Sequence, residues 1–265
     1  MRKDETRLVY PNINKAKKYF NWKPKMSFDK GLNKTIKFFK KIKRKKQFRI
    51  TAVIPVRKNS KRVKNKNFKR FHKKNLLVYK IEQLKRLKEI KKIVINTDSE
   101  KAIRIAKRHN VAYWRRESYF ASSKCKNSDF WKHIAETTEG DYILFINCTS
   151  PLIKDSTIKN VIKIFKKKLT KFDSINTATS VKEFLYKNNR PFNFNPSKAP
   201  NSQNLPNLNK LNFGVNLISR ENMIKNKSII GKKPYLLKVT EIEGIDIDTN
   251  LDFKFAEYIF KNSKR

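Results

Sequence analysis

The chain has 265 residues and a formal net charge of +43, with 65 Lys and Arg against 22 Asp and Glu. A hydrophobic content of 38% is enough to build a core, which excludes a wholly disordered chain. Two cysteines, Cys125 and Cys148, exclude a disulfide scaffold and a cysteine-based zinc cluster. Because the lysines are spread over every segment, compositional bias is favoured over a dedicated nucleic-acid surface, and nucleic acid is expected to bind only non-specifically.

The sequence predicts no segment that spans a membrane. The N-terminus is charged and lacks the apolar stretch of a signal peptide. The longest clean apolar run, Tyr142–Ile146, is far too short to span a bilayer. We therefore expect no membrane partner and a cytoplasmic location.

Residues 1–46 predict a small helical appendage. Tyr10–Pro24 indicates a short helix, and Ser27 can cap a second helix with Asp29 in its first turn. One face of that second helix carries Phe28, Leu32, Ile36 and Phe39, so this face requires a partner surface. The basic run Lys40–Lys46 predicts a linker. The appendage resembles the C-terminal tail of extended short-chain sugar-nucleotide epimerases and dehydratases, without their cofactor-binding or catalytic residues. We interpret it as a gene-fusion scar or a misassigned start.

The next stretch combines a buried strand with a cationic loop. Ile50–Val56 is an apolar, β-branched run, typical of a strand buried on both faces of a parallel sheet. A polar loop with many lysines and arginines follows it directly, which suits binding of an anion at the carboxyl edge of the sheet. The order Pro55-Val56-Arg57, Ser60-Lys61-Arg62 and Lys66-Asn67 resembles the opening motif of the acylneuraminate cytidylyltransferases, the CMP-sialic acid synthetases. Val56 and the Lys58-Asn59 pair depart mildly from that motif.

Strands and helices then alternate, which predicts an α/β fold with a doubly wound, mostly parallel sheet. The resemblance implies a Rossmann-like nucleotidyltransferase fold over residues 47–265. Asn75 is predicted to cap a helix, and Asp98 to cap another after the strand Lys92–Asn96. His109 and His133 are interpreted as surface or satisfied helix histidines. Further strands are predicted at Val111–Trp114, Asp141–Ile146, Asp173–Ser180, Phe213–Ser219 and Tyr235–Val239.

Two later segments continue the resemblance. By position, Arg116 matches the arginine that family members place at the cytidine, and Asn127 stands where many have a base-reading serine. The segment from Asn147 to Leu152 resembles the family's Gln-Pro-Thr-Ser-Pro-Leu motif between nucleotide and sugar, with Ser150 in place. Asn147 and Cys148 replace the Gln and the Pro, and no His-based pattern activates Cys148 as a nucleophile.

The Pro- and Asn-rich excursion Val181–Leu211 is too long for a simple crossover. It resembles the arm through which family members dimerise and complete the partner's sugar pocket, with Gln203 in the motif. Ser202 replaces a common arginine there. A cation that substitutes for that arginine could be Lys182, Arg190 or Lys198.

Asp246 and Asp248 lie two residues apart on an extended segment, so their carboxylates point to the same side. That geometry suits a hard divalent cation shared with phosphate oxygens, and the sequence around the pair holds no cationic neighbour. Helix capping by Asp248 is the structural alternative. The segment matches the family's Ile-Asp-Ile-Asp-Thr metal motif, which implies Mg²⁺ or Mn²⁺.

The resemblance covers Ile50 to Phe260 and implies transfer of CMP from CTP to a nine-carbon 2-keto sugar acid, with release of pyrophosphate, for surface glycan synthesis by a homodimer. It implies that Arg57, Lys61 and Lys66 act on the triphosphate beside Ser60 and Asn67, and that Arg116, Asn127, Asn147, Ser150 and Gln203 contact nucleotide and sugar. Three alternatives remain at this point: a ketodeoxyoctulosonate cytidylyltransferase, a basic nucleic-acid-binding protein, and an inactive homologue.

Overall fold

The computed structural model describes residues 12–44, 48–60 and 62–263. The chain divides into two compact units, Met1–Gln47 and Phe48–Arg265. The first unit contains helices α1 (Asn14–Phe20) and α2 (Phe28–Arg44). Ser27 precedes α2 and Asp29 lies in its first turn, as expected from the sequence.

The second unit alternates strands and helices along most of its length. Its first half contains β1 (Ile50–Val56), β2 (Arg70–Phe71), β3 (Lys74–Asn75), α3 (Leu76–Lys85), β4 (Ile90–Thr97), α4 (Glu100–Arg108), β5 (Ala112–Arg115), α5 (Ser118–Ala121), α6 (Asn127–Thr137) and β6 (Tyr142–Ile146). Its second half contains α7 (Asp155–Lys168), β7 (Ser174–Val181), β8 (Tyr186–Lys187), β9 (Arg190–Pro191), β10 (Leu208–Ser219), α8 (Arg220–Asn226), β11 (Pro234–Lys238) and α9 (Asn250–Asn262).

Seven of these strands form one sheet in the order β11-β7-β10-β6-β1-β4-β5. All adjacent pairs are parallel except those of β10, which runs antiparallel to both β6 and β7. The predicted doubly wound, mostly parallel sheet is therefore confirmed. Because β1 lies between β4 and β6, the loops that follow these three strands meet at one edge of the sheet.

The strand β1 is buried on both faces, as its apolar run predicted. Ile54 packs in the larger core cluster with residues of α3 and α7, whereas Val53 packs in the smaller cluster with residues of α6 and α8. Burial of each such side chain contributes about 1.5–3 kcal/mol. The helix α3 begins where predicted, because the Asn75 side chain accepts a hydrogen bond from the Val78 backbone N–H at 3.0 Å.

The excursion between β7 and β10 is shorter than the sequence suggested. Its last residues, Leu208–Leu211, pair with β7 as the start of β10, so they belong to the main sheet. The remainder holds the β8–β9 hairpin and two short 3₁₀ turns, Pro196–Lys198 and Ser202–Asn204. The Lys182 ammonium donates to the Leu205 carbonyl and ties the two ends of the excursion together.

The capping prediction for Asp98 is wrong. Ser99 caps α4 by accepting a hydrogen bond from the Ala102 N–H, while Asp98 accepts one from the Lys58 N–H at 2.7 Å. The interpretation of His133 is also wrong, because its ring is buried and its Nε2 has no hydrogen-bond partner. Within the described ranges, no helix combines the length and the apolar character that crossing a bilayer requires.

Candidate active site

The loop after β1 is fixed at the carboxyl edge of the sheet. The Arg57 Nε donates to the Asn59 carbonyl at 3.0 Å, and the Lys58 N–H donates to Asp98. Asp98 follows β4, so a carboxylate from the neighbouring strand holds the cationic loop in place. Lys61, predicted to act on the triphosphate, lies outside the described residues.

This loop forms one wall of a cavity of about 540 Å³. Six of the predicted site residues line it: Arg57, Ser60, Lys66, Asn67, Arg116 and Asn127. The sequence analysis missed other lining residues, among them Phe120, Ser122, Cys125 and Phe130. Their closeness in the sequence to Arg116 and Asn127 could have indicated that they line the same cavity. The cavity is therefore cationic on one side and aromatic on the other, which suits a nucleotide.

Arg116 is the most strongly fixed cation of the cavity. Its guanidinium is 6% exposed and donates to the side-chain oxygen of Asn96 at 2.6 Å and to the Asn96 carbonyl at 2.7 Å. It also lies 4.4 Å from the centroid of the Phe130 ring. Burial lowers the pKa of Arg116 to about 10, so the side chain still carries its charge at neutral pH.

The aromatic side of the cavity is supported by His133. The imidazole stacks on Phe120 with ring centroids 3.7 Å apart. Burial lowers the pKa of His133, which favours the neutral ring. The stack fixes the orientation of Phe120 at the cavity surface.

Asp248 is linked to the cavity by two cations. Its Oδ1 lies 2.8 Å from an Arg62 guanidinium nitrogen and 3.4 Å from the Lys66 ammonium. Lys66 also donates to the Ile247 carbonyl. The acidic pair has no cationic neighbour in the sequence, but in the fold Arg62 and Lys66 approach it from a loop about 180 residues earlier.

Asp246 occupies the more enclosed position of the pair. The Ile247 N–H donates to the Thr149 carbonyl at 2.8 Å, which holds the segment between Asp246 and Asp248 against the loop after β6. One carboxylate oxygen of Asp246, Oδ1, is buried without a hydrogen-bond partner. Burial raises the pKa of Asp246, and the charge of Asp248 raises it further.

The alternative of helix capping by Asp248 is wrong. Thr249 caps α9, and its hydroxyl accepts from the Asp252 N–H at 3.1 Å. Asp252 closes this capping box by accepting from the Thr249 N–H at 2.7 Å. Asp248 is thus free of any capping role.

The donor set fits a divalent cation that keeps water and phosphate ligands. The described part of the chain holds no cluster of three or more His, Cys, Asp or Glu side chains, so no closed protein cage forms there. Mg²⁺ is commonly held by one or two carboxylates together with substrate phosphates. The unpaired oxygen of Asp246 and the neighbouring Asp248 match that requirement.

The other predicted residues lie apart from the cavity lining. Ser150 is buried with an unpaired hydroxyl, and the Asn147 side chain donates to the Phe213 carbonyl at 3.5 Å. Gln203 is exposed in a 3₁₀ turn of the excursion. Cys148 is buried, and burial raises the pKa of its thiol to about 12, which keeps it protonated at neutral pH.

Comparison with known proteins assigns the family. The cytidylyltransferase family model matches residues 51–209. The CMP-N,N'-diacetyllegionaminic acid synthase of Campylobacter jejuni is 25% identical over 79% of this chain and 94% of its own length. The N-acylneuraminate cytidylyltransferase of Escherichia coli is 24% identical over 82% of this chain and 53% of its own length.

Solved structures agree with the fold. A CMP:2-keto-3-deoxy-manno-octonic acid synthetase complexed with CTP aligns with a TM-score of 0.60 at 11% identity, over 80% of this chain and 98% of its own. A 4-diphosphocytidyl-2C-methyl-D-erythritol synthase from Anaerococcus prevotii gives a TM-score of 0.57 at 13% identity, over 81% and 96% of the two chains. The chain belongs to the cytidylyltransferase family and is a nucleotidyltransferase.

Proposed function

We propose that the protein transfers CMP from CTP to a nonulosonic acid, a nine-carbon 2-keto sugar acid, and releases pyrophosphate. One observation carries the proposal: the cationic cavity is connected to the acidic pair through Lys66. Two relatives named for legionaminic and N-acylneuraminic acids support the nine-carbon substrate over ketodeoxyoctulosonate. The likeness to the ketodeoxyoctulosonate enzyme, at 11% identity, concerns the fold.

The triphosphate of CTP would lie against the loop after β1. Arg57 and Lys66 supply positive charge at the cavity, with the hydroxyl of Ser60 and the amide of Asn67 beside them. We extend this role to Lys61 on the basis of the sequence motif. The enclosed Arg116 and the exposed Asn127 line the side of the cavity that would receive the cytidine.

Asp246 and Asp248 would hold Mg²⁺ or Mn²⁺. Such a cation, when bound, offsets negative charge on the phosphate oxygens. The chain's own contribution is to hold the Asp246 segment, where the Ile247 N–H donates to the Thr149 carbonyl, and to hold Asp248 through Arg62 and Lys66. These contacts fix both carboxylates before substrate arrives, so little reorganisation is needed.

Catalysis in this arrangement is mainly positioning. The anomeric hydroxyl of the sugar acid attacks the α-phosphorus of CTP and gives up its proton to solvent, while the bond from the α-phosphorus to the pyrophosphate oxygen breaks. Phosphoryl-type displacements depend on alignment and neutralisation of charge. Among the described residues that line the cavity, none is Asp, Glu or His, which agrees with a site that orients and neutralises.

We assign the sugar acid to the region of Asn147 and Ser150, completed by the excursion of a second copy. Gln203 does not line the cavity of its own chain, as expected for a residue that serves a partner. The excursion exposes Phe184, Tyr186 and Phe192, which are 44%, 62% and 57% exposed. Exposed aromatic side chains of this kind are typical of an interface, and we propose a homodimer.

The test is an assay of pyrophosphate release. The enzyme is incubated with Mg²⁺, CTP and one sugar acid at a time: N-acetylneuraminic, legionaminic, pseudaminic or ketodeoxyoctulosonic acid. We expect release with CTP and one of the nonulosonic acids, and loss of release with Asp246→Asn. Preference for the eight-carbon acid would contradict the substrate assignment. No release with any acid would contradict the activity itself.

A further inference from the structure

The helix α2 separates apolar from basic residues around its axis. Phe28, Leu32 and Ile36 repeat at four-residue spacing, which places them on one face. They are 81%, 45% and 41% exposed. Lys30, Lys34 and Lys37 are exposed on the opposite side of the same helix. An exposed apolar stripe of this size on a solvated helix requires an occupant.

The charge of the chain indicates whether the surface that covers α2 is anionic or cationic. Residues 1–47 hold 17 Lys and Arg against three Asp and Glu, and α2 alone holds seven basic residues against Asp29. The remaining residues are also basic, with 48 Lys and Arg against 19 Asp and Glu. A strongly basic helix attracts surfaces of the opposite sign. The charge favours an anionic occupant.

We propose that α2 binds the surface of an anionic lipid bilayer, with its apolar face at the acyl boundary and its lysines among the headgroups. A helix that lies in the interface combines a basic face with Phe, Leu or Trp on the other face, and it needs no spanning length. Trp22 and Phe20, just before α2 in the chain, are 48% and 80% exposed and add further apolar side chains to this unit. Anionic headgroups attract each nearby lysine. No membrane partner was expected from the sequence, because it contains no apolar run long enough to span a bilayer. A helix that lies in the interface does not need such a run.

The experiment measures partition of the full chain onto sucrose-loaded vesicles by co-sedimentation. Vesicles of phosphatidylcholine alone are compared with vesicles in which about a third of the lipid is phosphatidylglycerol, a content chosen to give a strongly anionic surface. We expect binding to the anionic vesicles. The triple variant Phe28→Gln, Leu32→Gln and Ile36→Gln keeps the net charge and should bind at least about tenfold more weakly.

A matched control separates insertion of α2 from general charge attraction. In α9, Leu251, Phe255 and Tyr258 share a helix face and are 76%, 53% and 69% exposed. Substitution of all three by Gln should leave vesicle binding within about twofold of the parent chain, because that helix lacks the dense basic face. Far-UV circular dichroism reports whether each variant has retained its helices, and pyrophosphate release reports whether the catalytic unit has retained its fold.

Each contrary result overturns the proposal. If the α2 variant binds as tightly as the parent chain, net charge alone is responsible. If the α9 control falls by the same factor, α2 has no special role. If the parent chain binds neutral vesicles equally well, the anionic preference is wrong. If it self-associates in sedimentation without lipid and the α2 variant does not, a second copy is the occupant.

Discussion

Asp246 has a feature that is uncommon for a structural carboxylate: one of its oxygens, Oδ1, is buried without a hydrogen-bond partner. Burial of an acceptor in this state lowers stability, which is typical of residues retained for function. Under the proposed function, a bound divalent cation would relieve this cost.

We predict that Asp246→Asn abolishes most turnover but raises the melting temperature in EDTA at neutral pH. The folded-state pKa of Asp246 is raised by burial, so its ionised form destabilises the fold. The gain in melting temperature of Asp246→Asn over the parent chain should be complete above the folded-state pKa of Asp246. It should be absent below the unfolded-state pKa, where Asp246 is protonated in both states. Each kcal/mol corresponds to about 2–4 °C in a chain of this size. Calorimetry across pH measures the effect.

Asp248→Asn is the matched comparison for that experiment. It removes ion pairs with Arg62 and Lys66, which are partly exposed, so the melting temperature should fall slightly or stay unchanged. Turnover should fall as in Asp246→Asn. Near-normal rates in both variants with Mg²⁺ present would show that the pair does not hold the metal.

The adjacent arginines Arg115 and Arg116 allow a test of the role assigned to Arg116 in CTP binding. Arg116→Lys cannot keep both hydrogen bonds to Asn96 or the ring contact with Phe130. We expect the KM for CTP to rise about tenfold or more, as the loss of a buried charge-assisted pair implies. Arg115 is exposed and paired with Glu100. Arg115→Lys should leave the KM unchanged, and equal effects would contradict the assignment of Arg116.

The sequence predicted most of these residues but not their contacts. Arg57, Lys66 and Asp246 could be identified because their motifs are contiguous in the chain. The pairing of Arg62 with Asp248 could not, because no local pattern reports a contact across about 180 residues. Asp98 was misassigned for the same reason: Ser99 offers an equivalent cap, and only the fold brings Asp98 to the loop after β1.

At the scale of elements, α3 anchors the loop that precedes α7. Lys80 is fully buried and donates to the Ser150 carbonyl at 3.0 Å and to Gln83 at 2.7 Å. Gln83, one turn later, donates to the Ile153 carbonyl at 2.7 Å. The loop of the predicted sugar site is therefore held at both ends by one helix.

We predict that Lys80→Met lowers both stability and turnover. The change leaves the Ser150 carbonyl and the Gln83 amide oxygen without this donor, which costs about 1–3 kcal/mol. Thermal melting and the KM for the sugar acid measure the two effects. Lys88→Met, at an exposed position, is the control and should change neither. An unaltered melting temperature and KM in Lys80→Met would show that the loop does not depend on this anchor.

Elements with strong local periodicity were predicted well, and β10 was not. It was expected at Phe213–Ser219, but it begins at Leu208 and carries an irregularity between Leu211 and Asn216. Phe213 has a left-handed φ of 53°, and a Cβ at Gly214 would lie 2.9 Å from the Ile153 side chain. Such a bulge depends on contacts with α7 and β7, which the sequence of β10 does not encode locally.

At the scale of the whole molecule, the appendage and the catalytic unit are separate compact units. The sheet of the catalytic unit starts at Ile50, and the stacking of Phe48 on Tyr142 at 4.0 Å lies within the same unit. The basic residues are distributed over both units, so attraction of polyanions is expected from either. The resemblance of the appendage to an epimerase tail remains a prediction.

We predict that deletion of residues 1–46 leaves CMP transfer nearly unchanged. The part of residues 1–46 that the structure describes contributes no strand to the main sheet and no residue to the cavity lining. Turnover and melting temperature of the two chains are compared directly. A fall of many degrees with loss of turnover would make the appendage an integral part of the enzyme.

The contact between Lys66 and the acidic segment spans 181 residues, and this separation sets the order of events during synthesis. At about 5–20 residues per second, the ribosome delivers Asp246 on the order of ten seconds or more after the cationic loop. Until then the loop after β1 has its lysines but lacks the carboxylates that balance them. Phe71, near the cationic loop, also packs on Phe253 and Phe260 of α9. The complete site therefore forms only after the last part of the chain has been made.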